Sequence, residues 1–212
     1  MSAQNFRYIF RPGTGARPLS LLLLHGTGAD ERDLIPLADE IAPGATLISP
    51  RGQVTENGAP RFFRRSAEGI FDIEDWHDRS LELADFVTAT CAERGVPSGT
   101  LVAVGYSNGA NIAQGLLLLR PETLAAAILF RPMFVTDNVP TNDLSGRRVL
   151  LLAGDQGAIA SPVDVQRVSE QLGRRGAEVT VKIVRASHGL VQDDIIQARD
   201  WLKRNASLLA ST

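Results

Sequence analysis

Gly105-Tyr106-Ser107-Asn108-Gly109 stands between an apolar run, Leu101 to Val104, and a helical run, Asn108 to Leu119. A serine two residues from glycine on each side, where a buried strand turns into a helix, admits few backbone paths. The turn must be tight, the serine must sit in a strained conformation, and the glycines leave room for crowded backbone. The hydroxyl then projects from the carboxyl end of the sheet. The Asn108 N–H, at the start of the helix, points to where negative charge on a substrate oxygen would form. The competing reading is a glycine-rich turn whose serine merely caps a helix. A strand before the motif and a helix after it favour the elbow.

The rest of the chain alternates in the same way. Short apolar runs at Leu19–Leu24, Thr46–Ser49, Leu101–Val104, Leu124–Phe130, Val149–Ala153 and Val179–Val184 predict strands buried on both faces. Asn5–Phe10 predicts an edge strand closed by Arg11-Pro12-Gly13. Between them, Asp30 to Ile41 carries Leu34, Leu37, Ala38 and Ile41 at helical spacing, and Asp72 to Arg94 reads as one long helix stopped by Gly95-Val96-Pro97. Pro162–Arg174 and Leu190–Leu202 predict two more helices. The loop from Pro50 to about Ile70 is longer than compact domains usually carry without a purpose. Its Phe62-Phe63 pair argues against free solvation and for a wrap over a pocket. The fold class is α/β, a mostly parallel sheet flanked by helices. No repeat or linker divides the chain, so residues 1–212 read as one domain.

His25-Gly26-Thr27-Gly28 follows the strand Leu19–Leu24, where small residues let a second backbone N–H approach a developing oxyanion. Thr27 N–H is the candidate donor beside Asn108, and His25 reads as a structural brace. An ordinary glycine-rich turn is the alternative. His77 lies inside the long helix and reads as a packing or surface residue. His188, in the loop Ala186-Ser187-His188-Gly189 between the last strand and the last helix, follows the serine in chain order and is the candidate base. A third member, an acid to orient the imidazole, is expected after strand Val149–Ala153. Asp155 is the one carboxylate there, although a turn aspartate bonding its own backbone would look the same.

The charge balance of −2 supplies no field for nucleic acid or an acidic membrane surface. No segment approaches the length of a membrane span, and no signal peptide is visible, so the chain reads as cytoplasmic, with no membrane insertion. Cys91 is the single cysteine and reads as buried packing. Three scattered histidines without cysteine partners make a metal site improbable, and no cofactor is implied.

The stretches LLLLHGTGADERDLIPLA, PRGQVTENGAPRFFRR, GYSNGANIA, ILFRPM and ASHGLVQDDIIQARDWL resemble the bacterial phospholipase/carboxylesterase family, and within it the small hydroquinone-resistance-associated esterases. The resemblance implies a minimal α/β-hydrolase without a large lid domain, acting on small acyl esters with Ser107 as nucleophile and His188 as base. It also exposes a departure. Relatives carry A-G-x-x-D-P-I after the strand, and an ungapped alignment puts Gly157 where that aspartate belongs, two residues beyond Asp155. Asp155 in a reshaped loop, Asp137 after the preceding strand, or no acid at all remain open.

The expected function is therefore hydrolysis of a small-molecule carboxylic ester through an acyl-enzyme, with the oxyanion on Thr27 and Asn108 N–H. Phe62, Phe63, Met133 and Phe134 are the expected pocket walls. Arg61, Arg64, Arg65 and Arg131 are charged neighbours, either solvated or holding an anionic substrate group. A thioesterase or lysophospholipase of the same machinery, and a hydrolase-fold protein that binds without turnover, are the alternatives. A homodimer through the long loop is left open.

Overall fold

The structure, a computed structural model, describes residues 6–14, 19–97, 100–157 and 159–209, with side chains described as far as 205. Among the described residues, seven strands form one sheet: β1 (Tyr8–Arg11), β2 (Ser20–Leu24), β3 (Thr46–Pro50), then β8 (Leu101–Tyr106), β9 (Ala126–Phe130), β10 (Arg148–Gly154) and β11 (Glu178–Val184). Their spatial order is β1-β3-β2-β8-β9-β10-β11. All neighbours pair in parallel except β1, which runs antiparallel to β3 at the edge. The numbering gap is filled by two small ribbons in the long loop, β4 (Val54–Glu56) with β5 (Ala59–Arg61) and β6 (Arg65–Ala67) with β7 (Ile70–Phe71).

Side-chain alternation splits each strand between two cores. Leu22 and Leu24 of β2, with Leu101 and Ala103 of β8, face α2 (Ile73–Arg94), α3 (Asn108–Leu119) and α4 (Pro162–Gly173). Leu21 and Leu23, with Val102 and Val104, face α1 (Ile35–Ile41) and α5 (Gln192–Leu209). Burial on both sides is why these strands lack a polar face. Chain direction across the sheet reverses between β2 and β8: the chain steps from β2 outward to β3 on one side, and from β8 through β9 and β10 to β11 on the other. Open α/β sheets bind ligands in the crevice at such a switch point, beyond the strands' carboxyl ends.

The helix expected from Asp30 begins only at Ile35. Asp30 instead accepts from the Arg32 N–H at 2.8 Å in a local turn, and buried Glu31 pairs with Arg7 and Arg51. Those side-chain bonds compete with helical ones, and Pro36 takes the first turn of α1, where its missing N–H costs nothing. The long helix α2 matches its expected span. Asp72 caps its amino end by accepting from Asp75 N–H at 3.0 Å, and Gly95, at φ 67°, closes its carboxyl end. Cys91 is buried on that helix, and burial pushes its thiol up to about 11. Asn5 lies outside the described residues, Phe6 and Arg7 precede the strand without joining it, and the edge strand runs from Tyr8 to Arg11 rather than ending at Phe10.

Candidate active site

Ser107 sits at the turn from β8 to α3 with φ 52° and ψ −112°, a conformation that costs a non-glycine residue of order 1–3 kcal/mol. Its surroundings enforce it. A Cβ on Gly105 would lie 2.5 Å from the Gly109 carbonyl oxygen, and one on Gly109 would lie 1.9 Å from that of Leu24. Both glycines are thus required by the approach of backbone to backbone. Ser107 N–H donates to the Phe130 carbonyl at 2.9 Å, and its own carbonyl accepts from Asn111 N–H at 3.0 Å. The strained turn is therefore held on both sides.

His188 reaches the serine from the loop after β11, with Nε2 3.0 Å from Ser107 Oγ. Burial and the nearby Arg131 guanidinium hold its imidazole below the ordinary value of 6.5, with Glu68 opposing them. It is thus biased toward the neutral form that can accept a proton. Nδ1 is buried and has no hydrogen-bond partner among the described residues. The triad carboxylate expected at Asp155 does not reach it. Asp155 is exposed, and its Oδ1 accepts from Ala186 N–H at 3.2 Å, while its own N–H donates to Val184 O. The local backbone donors capture the side chain, as turn aspartates tend to allow. Asp137 does not substitute: it is exposed and lies 3.7 Å from Arg167 on a different concavity.

Thr27, Ser107, Asn108 and His188 line one cleft of about 240 Å³ at the switch point. Among the described residues, neither Thr27 N–H nor Asn108 N–H donates to another backbone carbonyl. The Thr27 loop is braced on two sides. Arg61 Nη1 donates to Thr27 Oγ1 at 2.7 Å. His25 Nδ1 lies 2.7 Å from the Gly26 carbonyl while its Nε2 accepts from Gly52 N–H at 2.9 Å. That arrangement places the proton on Nδ1, and burial lowers the pKa of this imidazole too. His77 is half-exposed on α2, away from this cleft.

Of the four expected pocket walls, Met133 borders the cleft. Phe62 and Phe63 do not; they are core residues at 3% and 0% exposure, Phe62 against His25 and Phe63 against Phe71. Full burial of an aromatic ring gains more than a place on a wet wall. Phe134 packs instead under the Arg167 guanidinium, 3.7 Å from the ring centre. The apolar lining comes from Phe71, Met133 and Ile159, and the polar lining includes Arg61, Arg65, Glu68 and Asn111. Asn111 also fixes Met133, whose N–H donates to Asn111 Oδ1 at 2.9 Å.

The arginines expected as neighbours of the pocket separate. Arg61 and Arg65 border it and both lean on Glu56, at 3.2 and 3.1 Å. Arg64 pairs with Asp72 and Asp75 outside it. Arg131 is fully buried at φ 53° and grips Asp194 of α5 with two hydrogen bonds of 2.8 and 2.7 Å. Among the described residues, no group of three or more His, Cys, Asp or Glu is placed to hold a metal ion, and no helix is long and apolar enough to cross a membrane.

A mostly parallel sheet with a strained serine on its central elbow and a histidine from the last loop defines an α/β-hydrolase. No family model matches the chain. It is 39% identical to the "Putative hydrolase MhqD" of Bacillus subtilis (strain 168) over 197 residues, 93% of this chain and 98% of that one. Among solved structures, the Bacillus cereus carboxylesterase superposes with TM-score 0.91 at 38% identity, covering 95% of both chains. A carboxylesterase from Mesorhizobium loti does so at 0.87 and 35%, covering 94% and 96%. The chain belongs to the phospholipase/carboxylesterase family of the α/β-hydrolases, a family of carboxylic ester hydrolases.

Proposed function

We propose that the protein hydrolyses small, uncharged carboxylic esters, with Ser107 as nucleophile and His188 as general base, and with no carboxylate on the far side of the imidazole. The observation that carries this reading is the 3.0 Å approach of His188 Nε2 to Ser107 Oγ on a strained elbow. His188 takes the hydroxyl proton as Oγ bonds to the ester carbonyl carbon. The resulting oxyanion is held by Thr27 and Asn108 N–H. His188 then returns the proton to the departing alkoxide as the carbon–oxygen bond breaks. Water, deprotonated by the same imidazole, releases the acid from the acyl-enzyme.

The size of the cleft supports a short acyl group. Its charges support a neutral substrate, because Arg61 and Arg65 share Glu56 and Glu68 stands on the same wall. Without a carboxylate to steady the imidazolium, turnover should be modest; replacing the triad acid by its amide cost about 10⁴-fold in a serine protease. The test is release of p-nitrophenol from p-nitrophenyl acetate and butyrate by wild type and Ser107→Ala. Wild-type turnover lost in the variant supports the reading, and equal turnover in both would overturn it.

A further inference from the structure

We infer that Arg131, braced by Asp194, and Tyr106 are positioning residues that orient His188 through its backbone, the task a triad carboxylate performs through the ring. The inference rests on the assignment of Ser107 and His188 above. Three successive carbonyls of the histidine loop are each held by a side chain from elsewhere in the fold. Arg131 Nε donates to Ser187 O at 3.1 Å, Tyr106 Oη donates to His188 O at 3.1 Å, and Arg131 Nη2 donates to Gly189 O at 3.0 Å. Asp194 adds a fourth hold, accepting from Val191 N–H at 2.9 Å while it fixes the guanidinium.

These bonds set where the His188 Cα–Cβ bond points. The remaining freedom is ring rotation, and the Tyr106 ring limits it, its centroid 5.4 Å from that of the imidazole at 39°. Arg131 itself occupies a left-handed backbone conformation and is completely buried. Strain of that kind persists only where surrounding contacts over-determine it, and it gathers at functional sites. Burial also raises the Tyr106 phenol pKa, which keeps its proton available for the His188 carbonyl. Tyr106, Arg131 and Asp194 come from β8, the turn after β9 and α5, so the loop is triangulated from three elements.

The experiment compares wild type, Tyr106→Phe, Arg131→Lys, the double variant Arg131→Met/Asp194→Leu, and Ser107→Ala. Each is measured for melting temperature, for titratable Ser107 with a fluorophosphonate, and for kcat and KM on p-nitrophenyl acetate between pH 5 and 9. Per titrated serine, Arg131→Lys should lose about 10- to 100-fold in kcat and Tyr106→Phe about three- to tenfold, with KM changed less than about twofold. In the double variant the acid limb of kcat/KM should move to higher pH, because a cation facing the imidazole has gone and Glu68 remains. Arg131→Met alone is avoided because it would strand Asp194 in the core. Should Arg131→Lys fail to fold, Tyr106→Phe, which removes one hydroxyl, carries the test. Unchanged kcat per titrated serine in Tyr106→Phe, with Ser107→Ala inactive, would overturn this inference alone. Activity retained in Ser107→Ala would overturn the assignment beneath it.

Discussion

Two regions meet at the Ser107–His188 contact, and the chain builds them by different means. The elbow at 105–109 is specified by backbone: the positions of two glycine Cα atoms leave no room for a methyl group, and the serine's peptide groups are bonded on both sides. The stretch from Asp155 to Gly157, after β10, runs beside the backbone of the histidine loop and has no comparable fit. A Cβ on Gly157 would lie 3.1 Å from Ile159 O and 3.6 Å from His188 N, which is tight but short of exclusion. Its only carboxylate, Asp155, is spent on a backbone N–H. Ser107 is thus fixed by backbone packed on backbone, that of Leu24 and Phe130 included. The base is oriented by side chains that lie far away in the sequence.

That contrast makes definite predictions. The largest effect is expected at the elbow, where Ser107→Ala should lower kcat by about 10²-fold or more, measured with p-nitrophenyl acetate against an unchanged far-ultraviolet circular dichroism spectrum. The second acts in the opposite direction. Gly157→Asp places a carboxyl beside the His188 backbone and should raise kcat by about tenfold or more by steadying the imidazolium; a loss of activity would mean that the loop cannot present it. Glycine replacements then compare the regions by stability. Gly109→Ala should cost about 3 kcal/mol in urea unfolding, and Gly157→Ala no more than about 1 kcal/mol; equal costs would erase the distinction. Smallest of all, Asp155→Asn should change kcat by less than about threefold, since the amide oxygen can still accept from Ala186 N–H.

The same contrast explains what could be read from the sequence. Strands such as Leu19–Leu24 and the strand–serine–helix elbow were legible because burial on both faces and crowding at a turn leave local signatures. His188 was legible from its place after the last strand. The clamp was not: Arg131 and Asp194 lie 63 residues apart, and an arginine looks the same in sequence whether solvated or buried. The charged residue closing the apolar run Ala126–Phe130 was the one available hint. Phe62-Phe63 was misread because an aromatic pair in a polar loop signals burial without saying against what. Phe71, which does border the cleft, lies on the two-residue strand β7, in an unremarkable Gly-Ile-Phe stretch. The late start of α1 reflects Glu31, whose partners Arg7 and Arg51 come from either side of it in sequence.

The central claim, a neutral imidazole on Ser107 with no carboxylate behind it, is tested most directly by the pH dependence of kcat/KM in wild type, Gly157→Asp and Asp155→Asn. A base whose pKa is lowered loses activity only as pH falls through that lowered value. The wild-type acid limb should therefore lie below 6.5, stay in place in Asp155→Asn, and move upward in Gly157→Asp. A wild-type limb at or above 6.5 that falls, with loss of kcat, in Asp155→Asn would contradict the account and make Asp155 the acid after all.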